Sequence, residues 1–248
     1  MADNRKEQER DELHRTIRGI ANDLRGSVDG WDFKQYALGM LFYRYISENF
    51  ANYINDGERE AGDATFDYAQ LSDSDAEQAR DDLIKTKGFF ILPSQLFCSV
   101  RSRAPLDENL NETLEAVFQA VEDSAKGSDS EANFSGLFDD IDVNSNKLGG
   151  AVAERNKRLV KLMNGVGDMK LGGDNTIDAF GDAYEYLMGM YASNAGKSGG
   201  EYFTPQEVSE LLTRIAVAGT TEVNKVYEII IQTLIQGVGK IKMCTVAV

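Results

Sequence analysis

Two cysteines and one histidine are all that this 248-residue chain offers for thiol chemistry or for the softer metal ligands. Cys98 and Cys244 lack metal-ligand spacing and give no disulfide framework, which suits a reducing cytosol. His14 has no Cys or Asp constellation beside it and reads as a surface or core-edge residue, not a catalytic base. No apolar run reaches the ~18 residues a membrane span needs. The start, Met1-Ala2-Asp3-Asn4-Arg5-Lys6-Glu7, is too polar for a signal peptide, so the cytoplasm is the expected location. Positive charge is scarce as well: 26 Lys and Arg face 41 Asp and Glu, for a net charge of −15. That balance excludes a broad cationic surface for DNA. Any DNA contact has to use a local basic patch or a basic partner.

What is present fits a globular chain with ample length for a core: 42% hydrophobic and 9% aromatic residues. Residues 4–25 read as an amphipathic helix, with Leu13, Ile17, Ile20 and Leu24 on one stripe. Residues 32–55 form a second helix with apolar groups on nearly every face, among them Phe33, Tyr36, Met40, Leu41, Tyr43, Ile46 and Phe50. Such a helix is buried on several sides. Its rings are not interleaved with a basic series, which favours core packing over base stacking. Residues 55–75 are polar and read as a loop. Ser74, with Glu77 three residues on, predicts the N-cap of a helix reaching Thr86.

Gly88-Phe89-Phe90-Ile91-Leu92-Pro93 reads as a short strand stopped by proline. Residues 94–101 are predicted helical. Pro105 opens a further helix with Leu110, Leu114, Val117, Phe118 and Val121 on one face. Asp139, Asp140 and Asp142 lie close together but lack the glycine and distal glutamate of a calcium loop, so a solvated acidic turn is the expectation. Residues 151–164 form the one positive stretch, a helix carrying Arg155, Lys157, Arg158 and Lys161. Two readings stand for it: contacts to DNA backbone phosphates, or a solvated helix face. The glycine-rich residues 165–175 mark the expected domain boundary. Gly196-Lys197-Ser198 and Gly239-Lys240 are not phosphate loops, because Tyr191 and Leu234 stand where the first glycine belongs.

Beyond a helix at 176–191 comes Gly199-Gly200-Glu201-Tyr202-Phe203-Thr204-Pro205-Gln206-Glu207-Val208. The glycine pair frees the backbone, and Pro205 suits the first turn of the apolar-periodic helix that follows. Aromatic and hydroxyl groups are thereby presented at a helix start, a place suited to a polar ligand. Together with Ile177-Asp178-Ala179-Phe180-Gly181-Asp182-Ala183-Tyr184-Glu185-Tyr186-Leu187 and Asn194-Ala195-Gly196-Lys197-Ser198, this run resembles the modification (methyltransferase) subunit of type I restriction–modification systems. The resemblance extends from about Trp31 to Tyr227.

That resemblance implies a mainly α protein: a bundle-like helical domain at 1–170, then the first helices of an α/β methyltransferase domain at 171–248. It implies S-adenosyl-L-methionine as cofactor, with Glu201, Tyr202, Phe203, Thr204, Pro205 and Gln206 lining its pocket. The family activity is site-specific methylation of adenine N6. The implied partners are a specificity subunit, a restriction subunit and double-stranded DNA. Family members continue after Val226-Tyr227 into an acidic-Pro-x-x-Gly-x-Gly turn, and later carry an Asn/Asp-Pro-Pro-aromatic segment that grips a flipped adenine. Here Glu228 is followed by Ile229-Ile230-Ile231, and the only prolines are Pro93, Pro105 and Pro205. The expectation is therefore a chain that stops short of the methyl-transfer motifs, with a divergent tail from about residue 228. A frameshift or premature stop would produce it, and the chain alone is expected to be inactive. The alternative role is a non-catalytic helical module for assembly on the specificity subunit or DNA. The tail reads as strand or helix, and its apolar run suggests self-association.

Overall fold

A 31-residue helix, α2 (Gly30–Glu60), carries the rest of the fold around it. Phe33, Tyr36, Met40, Leu41, Tyr43, Ile46 and Phe50 are all buried, as expected for a helix enclosed on several sides. Tyr45 and Tyr53 are its exposed rings. The computed structural model describes residues 2–24, 30–171 and 179–192. All but Ala192 of these belong to the compact unit Met1–Tyr191. The remaining helices are α1 (Ala2–Leu24), α3 (Asp73–Glu77), α4 (Arg80–Lys87), α5 (Phe97–Arg103), α6 (Leu110–Ser124), α7 (Glu131–Phe134), α8 (Val152–Gly167) and α9 (Ala179–Ala192). Among the described residues there is no strand, so the mainly α class holds there.

α8 is the second organising element, packing on α1, α2, α5 and α6. The stripe read from the sequence puts Leu13 and Ile17 of α1 into the core. Ile20 lies against Gly165 of α8, where an added Cβ would come within 2.4 Å of its Cγ1. Side-chain size at position 165 thus sets how closely α1 approaches. The apolar face of α6 is also as read: Leu110, Leu114, Val117, Phe118 and Val121 are buried.

With no strand among the described residues, loop backbone groups near the core need other partners, since an unpaired buried amide or carbonyl costs about 1–3 kcal/mol. The polar side chains of α2 supply many of them. Tyr36 donates to the Asp142 carbonyl (2.8 Å) and Tyr43 to the Gln95 carbonyl (2.5 Å). Ser47 accepts from the Phe97 amide (2.7 Å) at the start of α5, and Asn55 from the Tyr68 amide (2.7 Å). Burial pushes the Tyr43 and Tyr68 phenols up, so both stay protonated donors.

The run Gly88–Pro93 corrects the sequence reading. Phe89, Phe90 and Ile91 are buried in irregular backbone between the left-handed Gly88 and a 3-10 turn at Pro93, and they join no ladder. Side chains take the place of a neighbouring strand. The Phe90 amide donates to Ser124 (2.9 Å), the Ile91 carbonyl accepts from Tyr68 (2.8 Å), and the Gly88 carbonyl accepts from Ser128 (2.8 Å). Burial of apolar groups made the segment look like a strand. Pairing, which defines one, is not encoded in a single run.

The helix predicted from Ser74 to Thr86 is likewise two helices. Ser72, not Ser74, is the N-cap, accepting from the Asp75 amide (3.2 Å), and a turn at Gln78 and Ala79 interrupts the helix between Glu77 and Arg80. Asp73 then reaches the Ser94 amide (2.9 Å) and hydroxyl (2.6 Å), while the Arg80 guanidinium lies 4.4 Å over the Phe90 ring. These tertiary contacts outweigh the local capping pattern. Pro105 sits in a short 3-10 turn, Ala104–Leu106, and α6 begins later at Leu110. Asp107 bridges the two, accepting from the Asn109 amide (2.9 Å) and the Thr113 hydroxyl (2.7 Å).

Candidate functional site

Residues Arg155, Lys157, Arg158 and Lys161 all lie on α8, whose buried face consists of Asn156, Leu159, Leu162, Met163 and Val166. The structure divides the four cations into two pairs. Arg155 donates to the Gly149 carbonyl (3.1 Å), and Arg158 donates to the Leu148 carbonyl. Glu154 accepts from the Gly150 amide (3.2 Å), closing the same loop onto the first turn of the helix. Gly149, at φ +147°, has no room for a side chain: an added Cβ would lie 2.7 Å from Glu154 Cβ. The arginines therefore hold the loop before α8, while Lys157 and Lys161, one helical turn apart, are exposed. That lysine pair is the part of the stretch free to meet a phosphate backbone.

Two polar residues of this neighbourhood escaped the sequence reading. Asn156 sits on the buried face of α8 and caps another helix: it accepts from the Asn111 amide (3.1 Å) in the first turn of α6 and donates to the Glu108 carbonyl (2.5 Å). An asparagine in register with leucines was the available signal, since a buried amide requires a partner. Arg44 of α2 is buried and caps the far end of α8, donating to the carbonyls of Val166 (2.6 Å) and Met169 (2.7 Å). Its Nε donates to Glu48 (2.6 Å). A cation at a helix C-terminus also complements the dipole there.

His14 lies at the core edge, half-buried and stacked on Tyr186 of α9. Asp139, Asp140 and Asp142 are exposed, and Asp142 accepts from the Asn144 amide (3.0 Å). Among the described residues no group of three His, Cys, Asp or Glu is placed to hold a metal ion, and no helix is long and apolar enough to cross a membrane. The segment Glu201–Gln206 and the tail from 228 lie outside the described residues.

Residues 13–166 match the model of the HsdM N-terminal domain family. This chain belongs to that family. The HsdM domain is followed, over residues 175–233, by a match to the N-6 DNA methylase family model. The chain is 45% identical over 233 residues to the type I restriction enzyme MpnII methylase subunit of Mycoplasma pneumoniae, covering 90% of this chain and 43% of that protein. It is 20% identical over 202 residues to the MjaIX methylase subunit of Methanocaldococcus jannaschii, covering 79% and 34%. The crystal structure of a type I restriction-modification system methyltransferase subunit from Streptococcus thermophilus superposes with a TM-score of 0.69 at 27% identity, over 85% of this chain and 44% of that one. The HsdM chain thus spans less than half the length of the curated relatives it matches.

Proposed function

We propose that this chain serves in the methylase subunit of a type I restriction–modification system. The activity of such a subunit is site-specific methylation of adenine N6 in double-stranded DNA. The observation that carries the reading is the HsdM match over residues 13–166, continued by the methylase match over 175–233. On this reading residues 1–170 form the helical domain and 171–248 begin the methyltransferase domain. Its partners are the specificity and restriction subunits, and it works in the cytoplasm. Delegating base readout to the specificity subunit is consistent with a net charge of −15.

Glu201 to Gln206 are the proposed cofactor residues. Their chemistry suits a nucleoside: Tyr202 and Phe203 offer aromatic faces, and the Thr204 hydroxyl offers a hydrogen bond. S-adenosyl-L-methionine would supply the methyl group there. These 248 residues contain no Asn/Asp-Pro-Pro-aromatic string. The compact helical unit Met1–Tyr191 favours a second role, a non-catalytic assembly and DNA-enclosing module. The apolar tail would then be a further surface for self-association.

Calorimetric titration with S-adenosyl-L-methionine and methyl incorporation into DNA, each with and without the specificity subunit, test both readings. The isolated chain is expected to incorporate no methyl groups, and turnover by it would overturn the second role. Failure to bind any specificity subunit under native conditions would overturn the first.

The DNA contact carries its own expected result. Changing both Lys157 and Lys161 to alanine in the assembled complex removes about two phosphate contacts. The slope of log K against log salt is then expected to fall by roughly 2. An unchanged slope in a filter-binding salt series would return these lysines to the role of a solvated face.

A further inference from the structure

α1 meets α9 through one compact cluster. His14 stacks on Tyr186, with ring centroids 3.8 Å apart and planes inclined by 13°. Arg18 donates to the Tyr186 hydroxyl, and its guanidinium carbon lies 5.5 Å from the centre of the same ring. Arg10 donates to both carboxylate oxygens of Asp182 at 3.2 Å. Lys170, in the segment after α8, pairs with Glu12 at 2.9 Å. Below this polar layer, Leu13, Ile17 and Ile20 enter the core. The first helix is thus tied by side chains alone to residues 158 to 172 positions further along the chain.

We propose that α1 is a latch on α9 and that protonation of His14 releases it. The imidazole is half-buried, and its stacking partner already carries one cation, Arg18. An imidazolium there would lose hydration and meet the Arg10 and Arg18 guanidiniums. The carboxylates of Asp182 from α9 and Asp11 from α1 pull the other way. Burial prevails and holds the His14 pKa below its ordinary 6.5. The unfolded or undocked histidine consequently binds a proton more readily than the docked one. The latch is at full strength above about pH 6.5 and weakens as pH falls below it.

α9 runs directly into residues 193–206 in the sequence. On the reading proposed above, those residues include the cofactor segment, so release of α9 would weaken cofactor binding in acid. That consequence rests on the proposed function; the latch does not. Hydrogen–deuterium exchange of the full chain at pH 7.5 and 5.5, corrected for intrinsic rates, tests the latch without any cofactor or DNA. Peptides of α1 and α9 are expected to exchange several-fold faster at pH 5.5, measured against α6 as internal reference. The His14→Phe chain keeps a stacked ring and is expected to show no such rise. His14→Gln, neutral and polar, serves the same comparison if phenylalanine disturbs α1. Equal acid-induced rises in the wild-type and neutral variants, or no rise in the wild type, would overturn the proposal.

Discussion

Phe50→Ala is expected to destabilise the protein by about 4 kcal/mol, the middle of the range for truncating a fully buried aromatic. Phe50 is completely buried in the second half of α2. Its ring centroid lies 5.7 Å from that of Tyr68, 5.3 Å from Phe89 and 5.8 Å from Phe90, with Tyr68 and Phe90 edge-on. Removing it strips the packing from the irregular run Gly88–Pro93, which has no ladder to fall back on. Thermal unfolding should then fall by roughly 8–16 °C, at 2–4 °C per kcal/mol for a chain of this size. Phe50→Leu retains much of the volume and is expected to lose less than half as much. Equal losses for the two variants would show that edge-on ring geometry, not filled volume, holds the cluster.

The second large effect is expected at Arg44. Arg44→Met keeps an unbranched stem but removes both guanidinium contacts: the Met169 carbonyl loses this donor, while the Val166 carbonyl keeps only backbone amides, that of Met169 at 3.3 Å among them. At about 1–3 kcal/mol for a group left unpaired, a loss of about 2 kcal/mol is expected. Arg44→Lys preserves the charge but not the planar fork, so it is expected to recover less than half of that loss. Glu48→Gln leaves both carbonyl contacts in place. The Glu48 side chain is 44% exposed, so its pair with Arg44 contributes only about 0–1 kcal/mol after screening. Chemical denaturation of the three variants separates these values. An Arg44→Met chain as stable as the wild type would show that water satisfies the α8 carbonyls as well as the guanidinium does.

These two residues also mark what the sequence could disclose. Phe50 belongs to a pattern: a helix apolar on nearly every face must be enclosed, and α2 is. The stripes of α1 and α6 are legible for the same reason, because hydrophobic periodicity is local information. Arg44 belongs to no pattern, since its partners lie 122 and 125 positions away. Asn156 and the arginines of α8 are similar: charge content reveals a basic helix, but not that two of its four cations face a loop backbone. The irregular run at 88–93 imitates a strand because burial and β-branched or aromatic content are local, whereas its hydrogen-bond partners are distributed over three other segments. Candidate site residues 201–206 were readable only as a motif at a helix start, through family resemblance and not through geometry.

The placement of α1 has a consequence for the order in which the protein is made. Ile20 leaves the ribosome about 145 residues before Gly165, the surface it covers. At about 5–20 residues per second, that interval lasts roughly 7–30 seconds. Throughout it the part of the α1 stripe that packs on α8 has no partner, an interval far longer than the microsecond a helix of that length needs to form. An element synthesised well before its partner is thus seated only after that partner has followed, and the charged residues flanking the stripe favour its solvation meanwhile.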